Sequence, residues 1–369
     1  MTIDGIGAGR VVFPESIEQL SECVAAEKGS VVPVGAGTQL EFGNPLKSAD
    51  CVVNLTRLNK VTTYNPAELT IHVEAGVTLK HLHSLLAANN QTLPLDPWNG
   101  ADATIGGIAS TSAQGPLRAT GTIRDWIIGM TVVHIDGRRS KTGGRVVKNV
   151  TGYDLAKLYT GSLGSLAIIA EISFKLRPSF PATATAVARF SSLAEAESVL
   201  AAIRTSKVQP IACELSGPKH AVTVRFGEHP QAVEFQIRNL PKASWEVVKA
   251  ENENVSLENL HRLHSEMGPI VLRVVGKPSE VRGIIEEYQP SSWIAHALNG
   301  IVLMAFDDAS AIAAVRRKFP AIVERAPAAI RSEFGTFGVQ GAAKRLMVDM
   351  KRTFDPERRL NPGRHIDGE

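Results

Sequence analysis

The sequence predicts an α+β fold made of two parts. Short apolar strands alternate with amphipathic helices over the first 180 residues, and the alternation resumes after a stretch rich in Pro, Ala and Thr that begins at residue 179. A chain of 369 residues is long enough to form two hydrophobic cores. We therefore expect a first domain at residues 1–180 and a smaller, second one at residues 181–335.

The N-terminal elements are predicted to form a small α/β unit. "SIEQLSECVAAEKG" at residues 16–29 predicts a helix, because Ser16 and Gln19 match a capping box and a glycine ends the apolar spacing. Strands are predicted at residues 31–35, 51–56 and 69–76, and a second helix at residues 78–90. The glycine loop after Val34 is therefore expected at the end of a strand.

This glycine loop lies in "SVVPVGAGTQL", residues 30–40. A mononucleotide P-loop would need Lys and then Ser or Thr after the last glycine, but Thr38 and Gln39 follow Gly37. A dinucleotide fingerprint would need a third glycine where Leu40 stands. Two uses remain, a tight turn or a set of backbone N–H groups that cradles a phosphate.

Residues 94–121 are dense in Gly, Ala, Ser and Thr, and such a segment does not build a core by itself. The segment is either a flexible surface linker or a loop packed around a ligand. Its few charges, together with Ile105, Ile108 and Leu117, favour the packed loop.

The next segment predicts a hairpin, a short helix and a strongly apolar strand. The strand at residues 127–135 and the turn "DGR" indicate a hairpin whose second strand lies in the segment that begins with "KTGG" at residue 141. A short helix is expected from about Asp154, followed by the apolar strand. Gly161 and Gly164 precede that strand, and a helix C-cap accounts for only one of them.

The second part alternates again between strand and helix patterns. The segments are residues 194–206, 220–226, 231–240, 270–275, 279–288, 300–306 and 309–319. This pattern predicts an antiparallel sheet with helices on one face.

Bulk properties exclude several classes of protein. The chain has 40 basic and 37 acidic side chains and a net charge of +3, which gives no indication of a nucleic-acid partner. Cys23, Cys51 and Cys213 lie too far apart for a metal or iron–sulfur site. The sequence contains no apolar run of membrane-spanning length and no signal segment. We expect a cytoplasmic chain that reaches the inner face of the membrane only through partners.

The histidines give no metal site. His81 and His83 are two residues apart and would point to different helix faces, whereas His261 and His264 could share one face. A third ligand is missing, so the sequence predicts solvated helix histidines and no metal. There is also no G-x-S-x-G motif or reactive-cysteine signature, and no catalytic residue is identified.

Four segments in fixed order carry a family resemblance: "PVGAGT", "DATIGGIASTSAQGP", "GTIRDWIIGM" and "GRVVKNVTGYDLAKLYTGSLGSLAIIAEISFKLRP". Together they resemble the PCMH-type FAD-binding domain of the vanillyl-alcohol oxidase family. The resemblance implies two α/β subdomains around an extended FAD, with the glycine loop on the diphosphate, and a smaller α+β cap-like domain. Within the family, the fourth segment and the ending "MKRTFDPERRLNPGR" are similar to FAD-binding E subunits of bacterial glycolate oxidases. Residues 336–369 would then return to the FAD domain.

The resemblance also implies which residues contact FAD. Residues 35–38 would bind the diphosphate, residues 104–112 and Gly115 the flavin ring and diphosphate, Arg124 and Asp125 would shape a second turn, and residues 164–169 would contact the adenine end. The complete implied set is Pro33, Val34, Gly35, Ala36, Gly37, Thr38, Gln39, Asp102, Thr104, Ile105, Gly106, Gly107, Ser110, Ser112, Gly115, Arg124, Asp125, Gly164, Ile168, Ile169 and Asn361.

The sequence also departs from the family pattern. Gln39 and Leu40 stand where covalent members carry a tethering His, so the FAD is expected to be non-covalent. Ala167 and Ala170 replace a usual Gly and Thr near the adenine end. The His-rich metal motif of related D-2-hydroxy-acid dehydrogenases is missing.

The resemblance implies a flavin-binding subunit of a complex that oxidises glycolate to glyoxylate. Its partners would be a related FAD-containing catalytic subunit and an iron–sulfur subunit, and its substrate a small 2-hydroxy acid. Two alternatives stay open, a stand-alone D-2-hydroxy-acid dehydrogenase of the D-lactate type and a flavin-binding structural subunit without turnover. Candidates for substrate contacts are Arg225, Arg273 and His296. For each of them a surface or structural role stays open as the alternative.

Overall fold

The computed structural model describes residues 1–144, 154–249 and 253–368 and divides into two compact units. Unit 1 comprises Met1–Ala113, Gly121–Ser179 and Arg331–Glu369, and unit 2 comprises Gln114–Thr120 and Phe180–Ile330. The sequence predicts domain boundaries between residues 180 and 181 and between residues 335 and 336. The two units of the structure divide between residues 179 and 180 and between residues 330 and 331. The assignment of residues 114–120 to unit 2 was not expected from the sequence.

Unit 1 combines short strands with short helices, as the predicted α+β class requires. Its strands are β1 (Thr2–Ile3), β2 (Ile6–Gly7), β3 (Arg10–Val12), β4 (Val31–Val34), β5 (Cys51–Asn54), β6 (Val61–Asn65), β7 (Thr70–Glu74), β8 (Gln91–Thr92), β9 (Ile127–Val133), β10 (Arg139–Gly143), β11 (Ile168–Lys175) and β12 (Arg177–Pro178). Its first helices are α1 (Ile17–Ala26), α2 (Leu79–Ala87), α3 (Ile105–Thr111), α4 (Ile123–Trp126) and α5 (Ala156–Tyr159).

Two larger sheets organise unit 1. One is parallel, in the order β3-β5-β4, and the other is antiparallel, in the order β10-β9-β11-β7-β6. Strand β4 has only apolar residues, as expected for a strand that is covered on both faces, and Val31, Val32 and Val34 are all buried. The glycine loop leaves the end of this strand, as the sequence predicts.

The hairpin after residue 127 forms earlier along the chain than the sequence indicates. Strand β9 pairs with β10, which covers Arg139–Gly143 and so begins two residues before the segment in which the second strand was predicted. The end of that predicted strand, and the "RVVKNVTGY" part of the fourth family segment at residues 145–153, lie outside the described residues.

The segment predicted as a packed loop contains a helix, so that part of the prediction is wrong. Thr104 accepts a hydrogen bond from the Gly107 N–H at 3.3 Å and begins α3, which ends at Ser112 in the left-handed region. Two adjacent glycines hide the helix in the sequence because glycine has low helix propensity. The helix forms because Ile105 and Ile108 are completely buried on one face.

The C-terminal helices are α11 (Ala328–Phe334) and α12 (Gly341–Phe354). After α12 the chain runs along β4: the Val31 N–H donates to the Arg359 carbonyl, and the Asn361 N–H donates to the Val31 carbonyl. The completely buried Lys351 fixes this path, because its Nζ donates to Asp355 at 2.6 Å and to the Leu360 carbonyl at 2.8 Å. We call residues 355–368 the C-terminal segment.

Unit 2 is built on one antiparallel sheet in the order β16-β13-β15-β14-β18-β19-β17-β20. The strands are β13 (Ala182–Arg189), β14 (Ala212–Gly217), β15 (Ala221–Glu228), β16 (Glu246–Lys249), β17 (Ile270–Val275), β18 (Ser292–His296), β19 (Ile301–Phe306) and β20 (Ile322–Arg325). Its helices are α6 (Leu193–Thr205), α7 (Pro230–Arg238), α8 (Glu253–Ser265), α9 (Val281–Tyr288) and α10 (Ser310–Arg316). The predicted antiparallel sheet is therefore present.

Candidate functional site

A cavity lies in unit 1, and its empty space of about 820 Å³ includes part of the open solvent at its mouth. Its lining comes from β4 and the glycine loop, from α3, from the start of β11 and from the C-terminal segment. The lining residues are Val32, Pro33, Val34, Gly35, Ala36, Gly37, Thr38, Gln39, Leu40, Phe42, Leu55, Ala75, Asn99, Thr104, Gly106, Gly107, Ser110, Thr111, Leu163, Gly164, Ile168, Ile169, Asn361 and Arg364.

The glycine loop presents free hydrogen-bond donors beside this cavity. Gly37 has φ +79°, a conformation that side chains rarely adopt. In the described part of the chain, the backbone N–H groups of Ala36, Gly37 and Thr38 donate to no other group. Successive free amides in a turn form a concave site for an anion.

Glycines bring the surrounding segments into close contact. A Cβ on Gly35 would lie 2.0 Å from the Thr104 Oγ1, so only glycine lets the loop touch the start of α3. A Cβ on Gly164 would lie 2.9 Å from the Pro33 side chain, which explains the second glycine before the apolar strand. The cavity walls therefore depend on backbones that approach within contact distance.

Two amide side chains tie the cavity walls together. Asn99 donates through Nδ2 to the Thr38 Oγ1 at 3.0 Å and so fixes the end of the glycine loop. Asn361, from the C-terminal segment, donates through Nδ2 to the Leu163 carbonyl at 2.5 Å. The sequence analysis missed Asn99, although the Asn-Gly pair at residues 99–100 is a turn signal.

The structure brings most of the implied FAD contacts together around this cavity. Lining residues from the implied set are Pro33, Val34, Gly35, Ala36, Gly37, Thr38, Gln39, Thr104, Gly106, Gly107, Ser110, Gly164, Ile168, Ile169 and Asn361. Val32, Phe42, Leu55, Ala75 and Leu163 also line it and were missed, because apolar residues carry no motif. As contacts with FAD, all of these residues stay predictions.

Six residues of the implied set lie outside the lining. Asp102 is exposed, Ile105 is buried in the core, and Ser112 ends α3. Gly115 belongs to unit 2.

The remaining two residues of the implied set have local partners. Arg124 donates to the Lys157 carbonyl at 3.0 Å. Asp125 accepts from the Thr122 N–H at 2.7 Å, as in a capping box. Both side chains therefore have hydrogen-bond partners within unit 1, apart from any contact with a ligand.

Unit 2 has a polar face on its sheet. Glu214 lies directly opposite His296 in the ladder, and alternation puts Arg225 and Arg273 on the same face. His296 Nδ1 lies 2.8 Å from Glu214 Oε1, with both side chains buried, and burial raises the pKa of Glu214. Arg273 forms an ion pair with Glu324 at 3.0 Å. The three candidate substrate residues thus share one face of unit 2.

The prediction of solvated helix histidines is wrong for three of the four. His83 is half-buried and its Nε2 lies 2.8 Å from the Leu93 carbonyl, while His81 is exposed. His261 and His264 are half-buried on α8. Burial, with Arg325, His261 and His296 nearby, lowers the pKa of His264 to about 3.

Neither a metal cluster nor a membrane span is found within residues 1–144, 154–249 and 253–368. No group of three His, Cys, Asp or Glu residues in these ranges is arranged to hold a metal. No helix in them is both long and apolar enough to cross a membrane.

Comparison with known proteins identifies a matching family model and several relatives of this chain. Residues 8–143 match the family model described as FAD binding domain. The chain is 33% identical over 187 residues to glycolate oxidase subunit GlcE of Escherichia coli, which covers 50% of this chain and 52% of that protein. It is 32% identical over 209 residues to the mitochondrial D-lactate dehydrogenase [cytochrome] of Arabidopsis thaliana, covering 56% of this chain and 36% of the relative. The chain thus spans about half or less of each of these relatives.

A solved structure shares the fold over almost the whole chain. An alkyldihydroxyacetonephosphate synthase superposes with a TM-score of 0.70 at 15% identity, covering 95% of this chain and 76% of that one. This likeness concerns the fold alone, and it supports the predicted fold class.

Proposed function

We propose that this chain, which carries a PCMH-type FAD-binding domain with FAD as its cofactor, is the flavin-binding subunit of a complex that oxidises glycolate. The two relatives are named as a glycolate oxidase subunit and a D-lactate dehydrogenase, and together with the FAD binding domain they support FAD-dependent oxidation of a hydroxy acid. The narrower role as a subunit draws its support from the likeness to glycolate oxidase subunit GlcE.

The observation that carries the proposal is the row of free amides over the cavity. The N–H groups of Ala36, Gly37 and Thr38 are donors suited to a diphosphate, and the apolar lining at Ile168 and Ile169 suits an aromatic ring. The residues present therefore fit an extended dinucleotide such as FAD.

FAD supplies the hydride-accepting chemistry when it is bound. The chain's own residues bind and orient it: the glycine loop offers its amides, Asn99 holds Thr38, and Asn361 closes the wall at Leu163. The described lining contains no His, Cys or Tyr, so we expect the flavin to be bound without a covalent bond.

The partners we propose are a related FAD-containing subunit and an iron–sulfur subunit. No residues of this chain are arranged as a cluster site in its described part, so electrons from the flavin would leave through such partners. A second candidate function, a stand-alone D-2-hydroxy-acid dehydrogenase, is favoured by the polar face of unit 2. Arg225 or Arg273 could bind a carboxylate there, beside the Glu214–His296 pair.

The test is an anaerobic titration of the purified chain, alone and with its co-expressed partner subunits. We expect a flavin spectrum that glycolate bleaches only when the partners are present. Bleaching of the isolated chain by glycolate or D-lactate would favour the stand-alone dehydrogenase. A purified chain that binds no flavin after incubation with FAD would contradict both functions.

A further inference from the structure

Arg364 contributes a positive charge to the lining of the cavity. Among the described residues that line the cavity, it is the only one with a charged side chain. It is 5% exposed and belongs to the C-terminal segment. FAD carries two negative charges on its diphosphate, and no acidic side chain in this lining would oppose them.

The guanidinium of Arg364 is held in a fixed position. Its Nη1 lies 2.8 Å from Asp4 Oδ2 and donates to the Asn44 carbonyl at 3.2 Å, and its Nη2 donates to the Leu40 carbonyl. Leu40 ends the glycine loop, so a residue that lines the cavity also fixes this loop. Among the described residues, the guanidinium donates two hydrogen bonds, to the Asn44 and Leu40 carbonyls, and its contact with Asp4 is an ion pair. A guanidinium has five N–H donors, so further donors remain for a ligand.

Asp4 is shared with a second arginine that does not line the cavity. Arg331 is 2% exposed, lies 2.6 Å from Asp4 Oδ1 and donates to the Gly43 carbonyl at 2.7 Å. Both arginines are thus structural ties between the C-terminal residues and the loop after the glycines. Arg331 is therefore a matched control for the structural part of the role of Arg364.

We propose that Arg364 binds a phosphate of the FAD diphosphate through its remaining N–H donors and opposes its charge. A fixed guanidinium pairs with phosphate at little entropic cost, and charge-assisted bonds are about twice as strong as neutral ones. Burial lowers the pKa of Arg364 to about 10, which keeps the group charged at neutral pH. This proposal rests on the proposed FAD site.

The proposal predicts different effects on ligand binding for Asp4→Asn and Arg364→Gln. Its carboxylate holds the fold together but also offsets the positive charge of Arg364. Asp4→Asn should therefore destabilise unit 1 without weakening phosphate binding. A purely structural Arg364 predicts instead that Asp4→Asn and Arg364→Gln impair ligand binding alike.

The experiment measures binding of ADP and riboflavin to the full chain after removal of its flavin. ADP carries the diphosphate, whereas riboflavin carries the ring without phosphate. We expect Arg364→Gln to weaken ADP binding about tenfold or more and to leave riboflavin binding within about twofold. Arg331→Gln and Asp4→Asn should lower the melting temperature and leave ADP affinity undiminished.

Equal losses for ADP and riboflavin in Arg364→Gln, or unchanged ADP affinity, would overturn the proposal. If Arg364→Gln does not fold, Asp4→Asn decides, because weaker ADP binding in that variant contradicts the proposal and undiminished binding supports it. A wild-type chain that binds neither FAD nor ADP would instead contradict the proposed function, so the two failures are distinguishable.

Discussion

At the scale of single residues, the proposed binding of a diphosphate by the glycine loop can be tested at Gly37. Its positive φ and its place between two free amides make it sensitive to both conformation and charge. We expect Gly37→Asp to weaken FAD binding about tenfold or more, because a carboxylate would face the phosphates. Fluorescence titration of the flavin-free chain would measure the loss.

Gly37→Asn is the matched control for that substitution. Asn has nearly the same size as Asp and tolerates the left-handed conformation equally well, but it carries no charge. We expect Gly37→Asn to retain most of the FAD affinity. Equal affinities for the Asp and Asn variants would mean that no phosphate lies near this residue.

At the scale of elements, the junction of α12 with the C-terminal segment depends on a buried ion pair. Lys351 and Asp355 are both completely buried, and Asp355 also accepts from the Leu360 N–H at 2.8 Å. Lys351→Met leaves the Asp355 charge without its cation, so we expect a loss of about 3–5 kcal/mol in the free energy of unfolding. Urea denaturation would measure it.

The double variant Lys351→Met, Asp355→Asn tests the cause of that loss. It removes the buried charge together with its partner, so part of the lost stability should return. Thr353→Val on the exposed side of α12 should change stability by no more than about 0.5 kcal/mol. A double variant as unstable as the single one would show that packing, not charge, sets the cost.

The half-buried His264 on α8 predicts that the stability of unit 2 depends on pH. Its folded-state pKa of about 3 lies below the ordinary value of 6.5, so between these values the unfolded chain binds the proton and the folded chain does not. Stability should therefore fall as the pH drops below 6.5, by up to about 1.4 kcal/mol per pH unit. The free energy of unfolding at pH 7.0 and 4.5 checks this.

His264→Gln should make the unfolding free energy less dependent on pH over this range, whereas His81→Asn, at an exposed position, should not. An unchanged pH dependence in His264→Gln would contradict the assignment. The charges of Arg325 and His296, which lie on strands of unit 2, also lower the pKa of His264, as His261 does, so the effect does not belong to α8 alone.

Elements whose apolar residues recur at helical or strand spacing could be predicted from the sequence, whereas elements that depend on close backbone packing could not. Leu79, Leu82 and Leu86 are buried along α2, as their spacing indicates. Helix α3 was missed because glycine has low helix propensity, and Gly106 is needed there for close contact with Ala75. The glycine loop could be predicted by motif, whereas Asn99 and Arg364 reach the cavity through tertiary contacts that no local pattern records.

At the scale of the whole molecule, electron transfer separates the proposed subunit from the stand-alone enzyme. The two functions place the flavin differently: on a path through partners, or beside a substrate site in this chain. Co-expression of the chain with the two proposed partner subunits tests this, using glycolate-dependent reduction of a dye. The rate of dye reduction would be compared for the partner subunits alone, with the wild-type chain, and with the Gly37→Asp variant.

We expect full activity only with the wild-type chain, because the flavin must be bound for electrons to pass. Activity should fall with Gly37→Asp while the complex still assembles, and gel filtration would verify the assembly. Full activity without the chain would end the subunit proposal. An assembled Gly37→Asp complex that lacks flavin in this subunit but retains full activity would make the bound FAD structural, since a cofactor on the electron path cannot be removed without cost.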